Sequence, residues 1–107
     1  MSDLNTSHAK KIIVEVDVDL EDLIPGFLER RQQDLLSLQL ALDQKDFKNI
    51  GQQAHTLKGV GGGYGFDAIS CISREMQLAA ENSDTEEIAD KIKELADYLS
   101  HVEVVFI

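Results

Sequence analysis

A histidine and a lysine stand three residues apart in the middle of the chain, within a stretch that is rich in glycine. His55 and Lys58 belong to the run AHTLKGVGGGYGFD, residues 54–67, and six of the seven glycines fall within residues 51–65. A neutral imidazole is a nucleophile near pH 7, and a lysine ammonium neutralises an anion. Phosphoryl transfer onto the imidazole fits this pair best, because such transfer depends on positioning and charge neutralisation more than on acid–base groups.

The periodicity of this stretch predicts a helix with His55 on its solvent side. The apolar face of that helix carries Phe47, Ile50, Ala54, Leu57 and Gly61. At 100° per residue, His55 lies about 120° from the centre of this face. A glycine inside a helix costs up to ~1 kcal/mol relative to alanine. Gly51 and Gly59, one turn on either side of His55, are therefore expected to give clearance to a macromolecule that approaches the imidazole.

The neighbourhood of His55 in the sequence lacks acidic residues, although the chain is strongly acidic. The protein has 20 Asp and Glu residues against 10 Lys and Arg, a formal net charge of −10. Residues 47–66 contain two lysines and no acid, whereas the composition would place about four acids there. This pattern predicts that the surface around His55 is free of negative charge, that an anion binds beside the histidine and that Lys58 stabilises it.

Length and composition exclude several classes of protein. A chain of 107 residues, 43% of them hydrophobic, is expected to form one domain with a single core. The acidic balance argues against nucleic-acid binding, and no apolar run is long enough for a membrane span. The single cysteine, Cys71, fits a reducing compartment and is expected to be partly buried. We therefore expect a cytoplasmic protein that binds neither nucleic acid nor membranes.

Other chemistries that use glycine, histidine or cysteine require different spacings. A P-loop needs its lysine after the glycines, and here Lys58 precedes the cluster. A dinucleotide fingerprint needs a glycine where Tyr64 stands, and it follows a strand rather than a helix. The three histidines and one cysteine show no zinc-ligand spacing. No cofactor and no metal are predicted.

Apolar periodicity predicts an all-α protein: an antiparallel four-helix bundle with a short leading helix and extended terminal segments. The leading helix begins near Leu20 with Asp19 as its N-cap. Pro25 is expected either to begin the first long helix or to form a kink between it and the leading helix. On the long helix, Leu36 and Leu40 widen the buried stripe.

The helices that follow are bounded by turn and capping signals. Gly65 ends the helix of His55 in a left-handed conformation, and Asp67 is expected to cap the next helix. Asp84 caps the last helix, whose apolar stripe runs from Ile88 to Val102.

The predicted organisation has three parts: an N-terminal extended segment (1–19), the bundle (20–102) and a C-terminal tail (103–107). KIIVEVDVD, residues 11–19, alternates apolar and polar residues as strands do, and HVEVVFI, residues 101–107, is the one possible partner. Two hypotheses stay open: the terminal segments pair with each other, or they mediate dimerisation through an exposed edge.

The run around His55 resembles the signature of the histidine phosphotransfer (HPt) domain, usually His-x-Leu-Lys-Gly followed by small residues and a further glycine. In this chain the matching residues are His55, Leu57, Lys58, Gly59 and Gly65. The resemblance extends over about residues 20–102. HPt domains are four-helix bundles that carry a phosphoryl group on one exposed histidine between receiver domains.

The resemblance implies a role for each matching residue. His55 would be the phospho-acceptor, Lys58 would stabilise the charge, and Gly59 would give steric clearance. Gln77 occupies the place of the glutamine that orients the imidazole in this family. The implied partners are response-regulator receiver domains and a hybrid sensor histidine kinase. The implied protein is a monomeric phosphorelay carrier in two-component signal transduction, without ATP-dependent kinase activity.

A second hypothesis is a docking or adaptor module that is never phosphorylated. Such a module would use the same glycine-lined surface to bind a receiver domain or a partner helix. It predicts that His55→Gln still binds and functions, whereas Gly59→Gln does not.

Overall fold

The computed structural model describes residues 11–107. The elements in chain order are strand β1 (Ile12–Val16), a 3₁₀ helix (Val18–Leu23), helices α1 (Ile24–Asp43), α2 (Phe47–Gly63), α3 (Asp67–Glu81) and α4 (Thr85–His101), and strand β2 (Val102–Phe106). Of the extended segment expected over residues 1–19, residues 1–10 lie outside the described part. None of the helices described is both long and apolar enough to cross a membrane.

The four α-helices form the predicted antiparallel bundle. The connections between them, residues 44–46, 64–66 and 82–84, are three residues long, so each helix must reverse direction and pack on the one before it. Helix α4 returns to pack on α1 and closes the bundle. The largest fully buried side chains come from every helix and from one connection: Leu38, Ile50, Phe66, Ile69, Met76, Ile88, Leu95 and Ser73.

Local hydrogen bonds explain where the helices begin and end. The Asp84 carboxylate accepts from the backbone N–H of Glu87 at 3.1 Å and caps α4, as predicted. Gly65 has a φ of +90°, the left-handed conformation predicted after α2. The prediction for Asp67 is wrong, because Asp67 is the first residue of α3 and the preceding Phe66 caps it without a side-chain hydrogen bond. Phe66 occupies that position because the core buries its ring completely.

The leading helix is a 3₁₀ helix that begins earlier than expected. The carboxylate of Asp17, rather than that of Asp19, is the cap, and it accepts from the backbone N–H of Asp19 at 2.9 Å. Pro25 is the second residue of α1, where its missing N–H leaves no hydrogen bond unmade.

Helix α1 buries a narrower stripe than predicted. Leu36 and Leu40 are 75% and 59% exposed, so the prediction that they widen the buried face is wrong. Helix α1 packs on α2 and α4 and leaves the rest of its surface to solvent. The guanidinium of Arg31 is buried instead, 4.7 Å from the centre of the Phe27 ring, and its Nε donates to Asp34 at 2.7 Å.

The two terminal strands pair with each other in parallel, which is one of the two alternatives left open by the sequence. The register runs from Ile12 opposite Val102 to Val16 opposite Phe106. Beyond the ladder, the backbone N–H of Ile107 donates to the carbonyl of Val16 at 2.9 Å. Val102 begins β2 and does not extend the stripe of α4 as predicted, because α4 ends at His101.

One face of this ribbon covers an end of the bundle. Val16 is 2% exposed, and the other inward residues of the ribbon pack against the core: Ile12, Val14, Val102, Val104 and Phe106. Aromatic rings fill the same end, where Phe27 stacks on Tyr64 and Phe66 with centroids 4.5 and 4.9 Å apart. The ribbon and the aromatic rings thereby hold the beginning of α1 against the end of α2.

Candidate functional site

His55 lies on the surface of α2 between two buried positions. Ala54 is fully buried and Leu57 is 3% exposed, so the helix is fixed to the core on both sides of the histidine. His55 itself is exposed, on the side that the helical wheel predicts. No hydrogen bond or ion pair among residues 11–107 involves its side chain. Its imidazole is therefore open to a partner.

A groove between α2 and α3 passes beside the imidazole. One part of it is an open depression of about 530 Å³ lined by Phe47, Lys48, Gly51, Gln52, His55, Thr56, Gln77, Ala80 and Glu81. Because α2 and α3 are antiparallel, residues that follow His55 along α2 face residues that precede Gln77 along α3. The side chain of His55 forms part of the wall of this groove.

Gln77 is the one predicted site residue from α3, and it shares the depression with His55. Its side chain is half-buried. Within the described chain no hydrogen bond joins it to the imidazole, so the role of Gln77 in orienting the ring stays a prediction. An amide at this position can accept a hydrogen bond from a ring N–H or donate one to a phosphoryl oxygen.

Lys58 lies one turn beyond His55 and borders a second, neighbouring depression. This depression measures about 290 Å³ and is lined by Lys58, Asp67, Ser70, Cys71 and Arg74. The hydroxyl of Ser70 donates to the backbone carbonyl of Lys58 at 2.7 Å and joins α3 to α2 at this level. The Lys58 side chain makes no ion pair within 4 Å among the described residues, which leaves its charge available.

Cys71 is exposed, so the prediction of a partly buried cysteine is wrong. The buried residues Ile69, Ile72 and Met76 form the inward face of α3. Cys71 lies between Ile69 and Ile72 in sequence, but on the outward side of the helix.

The glycines around His55 differ in what surrounds them. A Cβ atom on Gly61 would lie 2.9 Å from Ile69, so this glycine is required by the packing of α2 on α3. A Cβ atom on Gly59 would meet nothing within 4 Å, and one on Gly51 would make an ordinary 3.8 Å contact with Ala80. No contact within residues 11–107 therefore requires a glycine at position 59, and clearance for a partner stays the predicted reason for it.

The structure adds two charged residues from α3 that the sequence analysis did not place near His55. Arg74 borders the depression of Lys58, and Glu81 lines that of His55 together with Lys48, so the prediction of a surface without negative charge around His55 is wrong. On α3, Arg74 and Glu81 lie three residues before and four residues after Gln77, hence on the same side of the helix. This spacing was available in the sequence, but it locates the residues only when the register of α3 against α2 is known.

Across residues 11–107 no group of three His, Cys, Asp or Glu side chains is arranged to hold a metal ion. The residues that gather at this surface are instead the imidazole of His55, the amide of Gln77, three cations and the carboxylates of Glu81 and Asp67. Such a set can bind and carry an anionic group.

Comparison with known protein families gives one match. The Hpt domain family matches residues 22–103. Neither curated proteins nor solved structures give a significant match to the chain. Members of the Hpt family are helical bundles that carry phosphoryl groups in phosphorelay signalling, with the receiver domains of two-component systems as their partners. Since the match covers most of the chain and the fold is a four-helix bundle, the chain belongs to the Hpt domain family and has a role in phosphorelay signalling.

Proposed function

We propose that His55 is the phospho-acceptor of a phosphorelay intermediate. It accepts a phosphoryl group from the aspartyl phosphate of one receiver domain and passes it to another. The observation that carries this proposal is the open imidazole of His55 between the buried residues Ala54 and Leu57, on a helix whose sequence has the Hpt signature. The rigid helix holds the nucleophile in place, and the groove leaves its approach open.

The transfer step needs no acid or base from this chain. The unprotonated ring nitrogen of neutral His55 attacks phosphorus, and the bond between phosphorus and the aspartyl oxygen breaks. The receiver carboxylate leaves with that electron pair. The second ring nitrogen keeps its hydrogen, and this N–H donates a hydrogen bond to the side-chain oxygen of Gln77, so that the ring is held in one orientation. Transfer to the next receiver is the reverse of this step.

Lys58 and Gly59 support the transfer in different ways. The Lys58 ammonium stabilises the negative charge that passes between the two proteins. Gly59 lets the surface of the receiver approach the imidazole, because open space lies where a side chain would project. The chain acts as a cytoplasmic monomer, and the first receiver belongs to a hybrid sensor histidine kinase.

The experiment is phosphoryl transfer from a panel of phosphorylated receiver domains to wild type, His55→Gln and His101→Gln. His101, the last residue of α4, controls for the loss of a histidine elsewhere in the chain, although its ring contacts Asp97 and Ser100. We expect an acid-labile, base-stable label on wild type and His101→Gln but not on His55→Gln, with equal melting temperatures for wild type and His55→Gln. If no receiver labels the wild type although receivers bind both it and His55→Gln, the carrier role is wrong and the docking module is supported.

A further inference from the structure

The two helices of the groove present their polar side chains in matched pairs. His55 of α2 shares a depression with Gln77 of α3, and three residues further along α2 Lys58 shares one with Arg74. Three residues separate Arg74 from Gln77 in the opposite direction, as the antiparallel packing requires. The pair Lys58 and Arg74 therefore lies three residues, about 4.5 Å along the axis, from the pair that contains the imidazole.

These two cations are not held in ion pairs within the described part of the chain, although the pKa of the Glu75 carboxyl is lowered by its hydrogen bond with Lys91 and, to a smaller extent, by the charge of Arg74. Neither Lys58 nor Arg74 takes part in an ion pair there, although other cations such as Lys91 are engaged by carboxylates. Asp67 borders the same depression but lies seven residues, about 10.5 Å along α3, from Arg74. A chain with a net charge of −10 thus keeps two cations without ion pairs at one depression, which neighbours that of its proposed phospho-acceptor.

The opposite end of the groove has no comparable excess of positive charge. Lys48 lies seven residues before His55, about 10.5 Å along the axis, and shares its depression with the carboxylate of Glu81. A phosphoryl group on the imidazole is therefore attracted toward Lys58 and Arg74.

We propose that Arg74 is a phosphoryl-binding residue and that, together with Lys58, it holds the phosphoryl group of phosphorylated His55. Arg74 presents a planar fork of N–H donors that matches two phosphoryl oxygens, whereas Lys58 contributes a single charged group. Arg74 is exposed, so its side chain can turn toward the imidazole without disturbing the core. This assignment rests on the proposed function of His55.

The test uses phosphoramidate, a small donor that phosphorylates histidine without a partner protein. The full chain is phosphorylated as wild type, Arg74→Gln, Arg74→Lys and Lys93→Gln, and the phosphoryl group is titrated by phosphorus NMR. Lys93 is an exposed lysine of α4 without an ion pair in the described chain, and it controls for net charge. His55→Gln identifies which phosphohistidine signal belongs to position 55.

A cation beside the phosphoryl group stabilises its dianion and lowers its pKa. We therefore expect Arg74→Gln to raise the phosphoryl pKa by about half a unit, Arg74→Lys to recover most of the wild-type value, and Lys93→Gln to leave it unchanged. A second measurement needs only folded wild type and Arg74→Lys. The Nε–H signal of Arg74, assigned by its loss in Arg74→Lys, should shift when the wild type is phosphorylated.

Failure of this proposal is distinguishable from failure of the proposed function. If His55 is phosphorylated but Arg74→Gln titrates like wild type, Arg74 does not bind the phosphoryl group. If Arg74→Gln titrates like wild type and only transfer from receivers slows, Arg74 contacts the partner and this assignment is wrong. If neither phosphoramidate nor any receiver phosphorylates His55, the proposed function itself falls, and the role of Arg74 falls with it.

Discussion

Gly61 lies directly against Ile69: a Cβ atom at position 61 would come within 2.9 Å of both the Cβ and Cγ2 atoms of that isoleucine. Gly59 is on the same helix, and a Cβ atom there would have no heavy atom within 4 Å. Close packing of α2 on α3 therefore explains one glycine. At Gly59, no contact in the described chain compensates for the lower helix propensity of glycine.

Alanine at these two positions should change stability in opposite directions. We expect Gly61→Ala to lower the free energy of unfolding by about 1–3 kcal/mol, because Ile69 is fully buried and cannot move away. Gly59→Ala should raise it by up to about 1 kcal/mol. Urea denaturation of both variants measures the difference. A destabilised Gly59→Ala would mean that position 59 has a structural role.

A large side chain at position 59 should block the partner without blocking the histidine. We expect Gly59→Gln to slow transfer from a receiver by roughly tenfold or more, because the receiver can no longer seat against the imidazole. Phosphorylation by phosphoramidate should keep its wild-type rate. Gly26→Gln is the matched control, since a Cβ atom on Gly26 of α1 would also have no heavy atom within 4 Å. If Gly59→Gln slowed phosphorylation by the receiver and by phosphoramidate to the same extent, the substitution would have damaged the imidazole site itself.

Removal of the amide beside the imidazole should slow phosphorylation of His55 but not abolish it. A hydrogen bond that orients the ring contributes about 1 kcal/mol, so Gln77→Ala is expected to react roughly fivefold more slowly with either donor. Gln39→Ala, a substitution on the exposed surface of α1, should have no effect. An unchanged rate of His55 phosphorylation in Gln77→Ala would show that Gln77 is not part of the site.

An ion pair between α3 and α4 should make stability depend on pH on the acid side. The ammonium of Lys91, hydrogen-bonded to Glu75 at 2.7 Å, holds the pKa of the Glu75 carboxyl below its ordinary value. Because this pKa is lowered in the folded state, the stabilisation is present at neutral pH and is lost as pH falls below about 4.

The variant that isolates this pair is Glu75→Gln. Its melting temperature should be slightly below that of wild type at pH 7, and the difference should vanish in acid, where Glu75 is protonated in both states. The difference should also shrink in high salt, since the Glu75 side chain is 50% exposed. A difference that persists unchanged in acid would assign the effect to packing rather than to charge.

The terminal ribbon should contribute measurably to the stability of the bundle. Val16 is 2% exposed, whereas Val18, two residues later, is 50% exposed. Val16→Ala should lower the free energy of unfolding by about 2 kcal/mol, and Val18→Ala should change it by less than about 0.5 kcal/mol. Equal effects of the two substitutions would show that the ribbon does not pack on the bundle in solution.

Local signals in the sequence were sufficient to predict most of the helical framework. Asp84 caps α4 and Gly65 follows α2 in a left-handed conformation because both effects depend only on residues within one turn. The exposed position of His55 could be predicted for a similar reason, since 100° per residue relates it directly to the apolar residues of its own helix.

Predictions that depended on neighbours from other elements were less reliable. Leu36 and Leu40 are apolar, but their burial depends on whether another element covers that side of α1, and none of the described elements does. Asp67 has the side chain of a good cap, but the burial of Phe66 in the core determines where α3 begins.

By itself, the sequence determined the number of helices, their turns, and an exposed histidine followed by a lysine and glycines, because each of these follows from residues close together along the chain. Only the tertiary structure decided that the terminal strands pair in parallel, that Gly61 rather than Gly59 is required by packing, and that Arg74 borders the same depression as Lys58. These features depend on contacts between distant segments, and the register of such contacts is set by the packing of the whole core.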